Sequence, residues 1–182
     1  MLSASRKSKD IPDFSGSNPK IAVISAQYNP SIADRLTKGA SALLEKNDIP
    51  FEVFEVSGVL DLPTALKLII NSGRFDGYVL LGSVLNESDD RATIAMYSET
   101  LRGIGSIGAS GYPLGSAILC ASNKKQLTKM ASPRKDNCGA AAAMAALELI
   151  ALSRNLSNIS KNIGFKPASE FIHMAGDPRK TT

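Results

Sequence analysis

Four short apolar runs, each followed by a stretch with helical spacing, restrict this chain to very few architectures. The runs are "KIAVISA" from Lys20, "FEVFEV" (Phe51 to Val56), "GYVLLGSV" from Gly77 and "LGSAILC" from Leu114. Apolar runs of this length between turn-forming residues read as strands buried on both faces. Between them, Ile32, Leu36, Ala40, Leu43 and Leu44 fall on one helical face, and Ser31 with Asp34, just after Pro30, predicts an acidic variant of the capping box. Leu62 to Ile70 predicts a short helix with Leu62, Leu66, Ile69 and Ile70 on one face. A longer helix is expected from Ala92 to Ile107, a turn or two from Lys124 to Met130, and an alanine-rich helix from Ala140 to Leu152 with a Met144, Leu147, Ala151 stripe. Strands alternating with helices specify an α/β fold, a parallel sheet covered on both faces and joined by right-handed crossovers.

A length of 182 residues, 43% hydrophobic and 21% charged, suits one domain with one sizeable core. Residues 1–18 are polar and turn-forming and are expected to be a flexible arm, 19–156 the domain, and 157–182 a C-terminal tail with little structure of its own. No apolar stretch approaches the roughly 20 residues of a membrane helix, so a soluble, cytoplasmic protein is expected. The basic, serine-rich start "MLSASRKSK" is also how an organellar presequence begins, but Asp10 and Asp13 argue against that reading. The net charge of +4 comes largely from Arg6 to Lys9 and from Arg179 and Lys180, and so marks no nucleic-acid-binding face. Cys120 and Cys138 lack CxxC spacing and His173 is the only histidine, which leaves a zinc site short of ligands; no metal is expected, and the compartment is expected to be reducing.

In a parallel sheet of this kind ligands bind at the carboxyl ends of the strands. The loops there are "AQYNPS", "VSGVLDLP", "GSVLNESDDR" and "CASNKKQ". Gly58 and Gly82 make tight turns or let a ligand approach the backbone. Tyr28 stacks on a planar heterocycle or packs its ring on the sheet edge. Asp61, before Leu62 and Pro63, suits an N-cap, or a carboxylate that accepts hydrogen bonds from a ligand. Asn137 and Gly139 open the last helix, whose N–H groups would attract a phosphate or carboxylate. The same position would activate Cys138, although a small cysteine beside a helix start more often only packs.

Singly these signals are weak, but their order is specific. The series "IAVISAQYNPSIADRLTKGA", "FEVFEVSGVLDLPTALKLIINSGRFDGYVLLGSVL" and "NCGAAAAMAALEL" resembles the 6,7-dimethyl-8-ribityllumazine synthases of riboflavin synthesis, from about Lys20 to Leu156. Members of that family typically read A-R-F-N, V-P-G-A-F-E-I-P, S-G-x-Y-D-A-x-x-x-L-G-C-V-I-x-G-E-T-x-H and N-K-G followed by A-A-L-E. The resemblance implies a flavodoxin-like three-layer α/β/α sandwich with a four-stranded parallel sheet, and no cofactor. It also implies condensation of 5-amino-6-(D-ribitylamino)uracil with 3,4-dihydroxy-2-butanone 4-phosphate, at sites between neighbouring subunits of a pentamer or a larger shell.

Carried over by position, Tyr28 stands for the aromatic that stacks on the pyrimidine. Val59, Leu60 and Asp61 stand for the A-F-E segment that binds the ribityl chain and ring, and Ser83, Val84 and Leu85 for the C-V-I strand end. Read without a gap, Ser88 and Asp89 occupy the E-T positions that hold the butanone phosphate, and Arg91 replaces the histidine that shuttles protons. With one residue dropped before Glu87, Glu87 and Ser88 match E-T and Asp90 takes the histidine's place. Met130 replaces the phosphate-binding arginine, Cys138 the lysine of N-K-G, and Ser116 a phenylalanine that reaches the pyrimidine across the subunit interface. Lys129, Arg134 and Arg91 are the nearby cations. Three functions follow: a lumazine synthase with Arg91 and Asp90 as its candidate catalytic residues; a catalytically impaired scaffold that keeps the fold and the assembly; and a flavin- or pyrimidine-binding protein that uses the Tyr28 half of the pocket.

Overall fold

The computed structural model describes residues 11–14, 17–88, 90–132 and 137–160, of which residues 158–160 are described through their backbone alone. In chain order it contains β1 (Ile21–Ala26), α1 (Pro30–Glu45), β2 (Phe51–Val56), a 3-10 turn (Val59–Asp61), α2 (Leu62–Asn71), β3 (Gly77–Leu85), α3 (Arg91–Gly108), β4 (Leu114–Ala121), α4 (Lys124–Met130) and α5 (Cys138–Ser160). The four strands form one sheet in the order β2-β1-β3-β4, every neighbouring pair parallel. Ile21 lies between Phe51 and Gly77, and Leu80 lies beside Ser116.

Side chains alternate across a strand, so the two faces of the sheet build two cores. Ile21, Val23, Val79 and Leu81 pack under α1 and α5. Ala22, Ile24 and Leu80 pack under α2 and α3, with Leu62, Leu66 and Ile104. The result is the flavodoxin-like sandwich. Leu36, Leu44 and Leu66 are fully buried, and each such side chain stabilises the fold by about 1.5–3 kcal/mol relative to exposure.

Several local expectations are corrected. The Ser31–Asp34 capping box does not form: α1 begins at Pro30, after Asn29, with no side-chain cap. Proline at the first helical position presets φ and needs no donor, which is enough to start the helix there. On α5 the fully buried face is Ala142, Ala143, Ala146, Leu147 and Ile150, and Met144 and Ala151 of the expected stripe are only half-buried. Alanine is required there because α5 lies almost against β4; a Cβ on Gly115 would collide with the Ala142 carbonyl oxygen.

The same helix runs eight residues beyond Leu152, into the stretch expected to be weakly structured. Its extension holds part of the expected N-terminal arm. Phe14 is buried in the α1/α5 core. Arg154 donates from Nη1 to the Ser17 carbonyl at 2.7 Å, and its guanidinium lies 5.3 Å from the centre of the Phe14 ring. Residues 1–10 and 161–182 lie outside the described residues.

Candidate active site

In the order β2-β1-β3-β4 the chain leaves β1 toward one side of the sheet and later crosses to the other, so the crevice belongs at the carboxyl ends of β1 and β3. The residues expected from the sequence gather there. Tyr28 follows β1 and is 75% exposed, its ring on no core. Ser83 and Val84 are buried at the end of β3, with Leu85 half-buried after them. The turn after β2 brings Val59 into the core and leaves Leu60 and Asp61 exposed.

Gly82 is not a turn residue. It lies inside β3, and a Cβ there would come within 2.9 Å of Val59 Cγ1. Its missing side chain is what lets the β2 turn close over the end of β3. Asp61 precedes α2 but places no side-chain cap on it. Its Oδ2 instead accepts the Gly58 N–H at 2.9 Å, closing the 3-10 turn backwards. The carboxylate that the sequence offers as a cap or a ligand acceptor thus holds its own loop while remaining in solvent.

Two asparagines complete this arrangement, and sequence reasoning did not single them out. Asn29 donates from Nδ2 to Ser83 Oγ at 3.2 Å and to the Ser83 carbonyl at 3.4 Å, tying the end of β1 to the end of β3. Asn86 is buried, and its Oδ1 accepts the Asp90 N–H at 2.8 Å. The available signal was an asparagine within three residues of the end of an apolar strand, in "AQYNP" and in "VLNE".

The loop after β3 begins with Glu87 and Ser88, both exposed; Asp89 lies outside the described residues. Asp90 is the N-cap of α3. Its carboxylate accepts from the Thr93 N–H at 2.9 Å, the Thr93 hydroxyl at 2.8 Å and the Ala92 N–H at 3.3 Å. The Thr93 and Ala92 donors hold the group below the ordinary aspartate range, so as a proton acceptor it is weaker than a free carboxylate. Arg91, the first residue of α3, is exposed.

The remaining predicted residues lie elsewhere on the molecule. Met130 is 39% exposed at the end of α4. Asn137 is buried and opens α5: its Oδ1 accepts the Gly139 and Ala140 N–H groups, and its Nδ2 donates to the Arg35 and Ala131 carbonyls. The first-turn amides expected to attract an anion are therefore occupied by the protein's own carboxamide, which corrects that expectation. Cys138 is half-buried beside them. Arg134 lies outside the described residues.

Ser116 faces outward on the edge strand β4. With Tyr97 and Leu101 of α3 and Cys138 and Ala141 of α5 it lines an open groove of ≈ 420 Å³ along that edge. The structure thus brings Tyr28, the β2 turn and the end of β3 together, and leaves Ser116 on a separate surface of the chain.

The family model for 6,7-dimethyl-8-ribityllumazine synthase matches residues 18–154. Proteins of that name from Jannaschia sp. (strain CCS1) and Paramagnetospirillum magneticum are 32% and 33% identical to this chain over 148 and 146 residues, covering 81% and 75% of it and 83% and 96% of their own length. The one from Novosphingobium aromaticivorans is 33% identical over 138 residues, which are 76% of this chain and 99% of the relative. The match extends from just ahead of β1 well into α5 and includes every strand-end loop described above, so the chain belongs to the 6,7-dimethyl-8-ribityllumazine synthase family.

Proposed function

We infer that this protein condenses 5-amino-6-(D-ribitylamino)uracil with 3,4-dihydroxy-2-butanone 4-phosphate to 6,7-dimethyl-8-ribityllumazine, as a transferase of riboflavin biosynthesis. The observation that carries the reading is the crevice at the ends of β1 and β3, where Asn29 ties Ser83 in place beside an exposed Tyr28. In this reading Tyr28 stacks on the pyrimidine. Ser83 to Leu85 meet its edge through their backbone, and Val59 to Asp61 receive the ribityl chain. Glu87, Ser88 and Asp89 form the butanone phosphate's side, with Met130 at the position where the family places a cation.

Such a condensation gains most from holding two substrates together in a reactive geometry, and a general base adds a smaller factor. This suits a loop without histidine. Arg91 serves as the counter-charge to the phosphate. Asp90 sets the helix turn from which Arg91 projects. No cofactor enters the reading.

The reading includes assembly into a pentamer or larger shell, and a location in the cytoplasm. Its support is the unpaired edge of β4, the groove holding Ser116, and the exposed Leu149, Leu152 and Leu156 on α5, which together form a surface a second copy would cover. Among the described residues no helix is long and apolar enough to cross a membrane.

The test is to mix the purified protein with both substrates and follow the lumazine's absorbance against the uncatalysed background. An excess rate is expected. Its absence would overturn the enzyme reading in favour of a scaffold that keeps the assembly, or of a binder if riboflavin still associates. The uncharged Met130 and Cys138 are what favour that second reading.

A further inference from the structure

We propose that Asn86 is a positioning residue for this condensation: its buried carboxamide fixes the loop that presents Glu87, Ser88 and Arg91 to the phosphate-bearing substrate. The proposal rests on the lumazine synthase reading above. Asn86 is one of few buried polar side chains among the described residues. Its backbone N–H donates to the Ala121 carbonyl at 2.9 Å, which extends the β3–β4 ladder one residue past the strand. Its Oδ1 accepts the Asp90 N–H at 2.8 Å. Asp90 in turn is bonded to Ala92 and Thr93 in the first turn of α3. An unbroken series of hydrogen bonds therefore runs from the end of β4, through Asn86 and Asp90, to the start of α3.

Glu87 and Ser88 lie between the two ends of this brace, exposed, with no side-chain hydrogen bond to another described residue to set their direction. Arg91 follows Asp90 directly and moves with it. A loop that needed only to turn would be served by an exposed asparagine or a glycine. Burying the carboxamide exposes the fold to the cost of an unpaired polar group, and that cost is avoided only while Asp90 stays where it is. The bond therefore fixes where Asp90, and the α3 start behind it, stand relative to the end of β3. Because a misplacement of about 1 Å can cost up to roughly a hundred-fold in rate, that placement matters most for the substrate this loop holds.

The experiment is steady-state kinetics on the full chain, varying each substrate with the other saturating. Asn86→Ala is expected to lower kcat/KM for the butanone phosphate roughly ten-fold, with the KM for the ribitylaminouracil unchanged. Asn86→Ser, which keeps an uncharged acceptor, is expected to recover part of that loss. Equal losses for both substrates, no loss for either, or a serine variant no better than alanine would overturn the proposal. A measurement on the unaltered protein covers the case in which the variants do not fold: the Asp90 amide should exchange its hydrogen far more slowly than that of Ser88, and equal rates would overturn the proposal. An inactive unaltered protein overturns the lumazine synthase reading and this role with it, whereas an active protein indifferent to Asn86→Ala overturns this role alone.

Discussion

The two halves of the candidate site are built from the same fold but with different chemistry. At the ends of β1, β2 and β3 the backbone is held open to a ligand: Asn29 bonds Ser83, Asp61 closes its own turn, and Gly82 admits Val59. Tyr28, Leu60 and Asp61 remain exposed above them. In the loop that leads from β3 into α3, and beyond α4, the polar groups are used up internally. Asn137 takes the first amides of α5 and Asp90 takes those of α3, while Met130 and Cys138 offer no cation beside them. In one half side-chain hydrogen bonds brace the strand ends beneath exposed residues, and in the other they take up the amides that open the helices. The difference shows that a polar residue beside a helix start can serve capping and packing rather than a ligand.

The largest effect is expected where that packing is concentrated. Asn137 donates to Arg35 and Ala131 and accepts from Gly139 and Ala140, so it joins α1, the end of α4 and α5 at one buried point. Asn137→Ala should destabilise the protein by about 3 kcal/mol, since several buried groups lose partners at once. That corresponds to a fall in Tm of roughly 10 °C for a chain of this size. The exposed neighbour Met130, changed to Ala, should stay within about 0.5 kcal/mol. Comparable losses in thermal or urea unfolding would mean that the second half does not owe its sequence to the fold.

The architecture was legible in the sequence because it rests on local period. Apolar runs and helical stripes place every strand and helix near its observed position, since burial on a two-faced sheet imposes those patterns. The site was only partly legible. Tyr28 and Asp61 could be placed beside the crevice because they follow strands, and Ser83 because it lies near the end of one. The work of Asn29 could not, since its partner Ser83 lies 54 residues away. Nor could the fate of the α5 amides, which depends on how Asn137 is wedged between α1 and α4. A carboxamide beside a helix start reads alike whether it leaves the amides to a ligand or takes them itself.

A crossed pair of substitutions breaks or sharpens the comparison at the level of function. Asp61→Ala removes an exposed carboxylate from the pyrimidine half. It should raise the KM for the ribitylaminouracil about ten-fold or more, the scale of a charge-assisted hydrogen bond, and cost at most about 1 kcal/mol of stability. Met130→Arg introduces a cation into the other half and should lower the KM for the butanone phosphate by up to about ten-fold. Each change should leave the other substrate's KM alone. If Asp61→Ala costs stability but not affinity, Asp61 is only a loop closure. If Met130→Arg changes nothing, the phosphate is held elsewhere.

The smallest effect tests whether Asp90 belongs to the fold or to the chemistry. Its donors stabilise the charged form, so its folded pKa lies below the unfolded value. The cap's contribution is therefore complete above the ordinary aspartate range and is lost as pH falls through the lowered folded value. The Tm gap between the unaltered protein and Asp90→Ala should stay constant from about pH 8 to pH 5 and close below about pH 4. Glu52 and Glu99 are also held low, by Lys20 and Arg74 and by Arg102 respectively, but both proteins carry them and their titration cancels in the difference. Turnover supplies the complementary test. A carboxylate tied to three donors has little reason to take a proton near neutrality, so kcat should show no inflection between about pH 5 and pH 8 that disappears in Asp90→Asn. Such an inflection would mean that the loop holds a working base, and the two halves of the site would then be far more alike than their hydrogen bonds suggest.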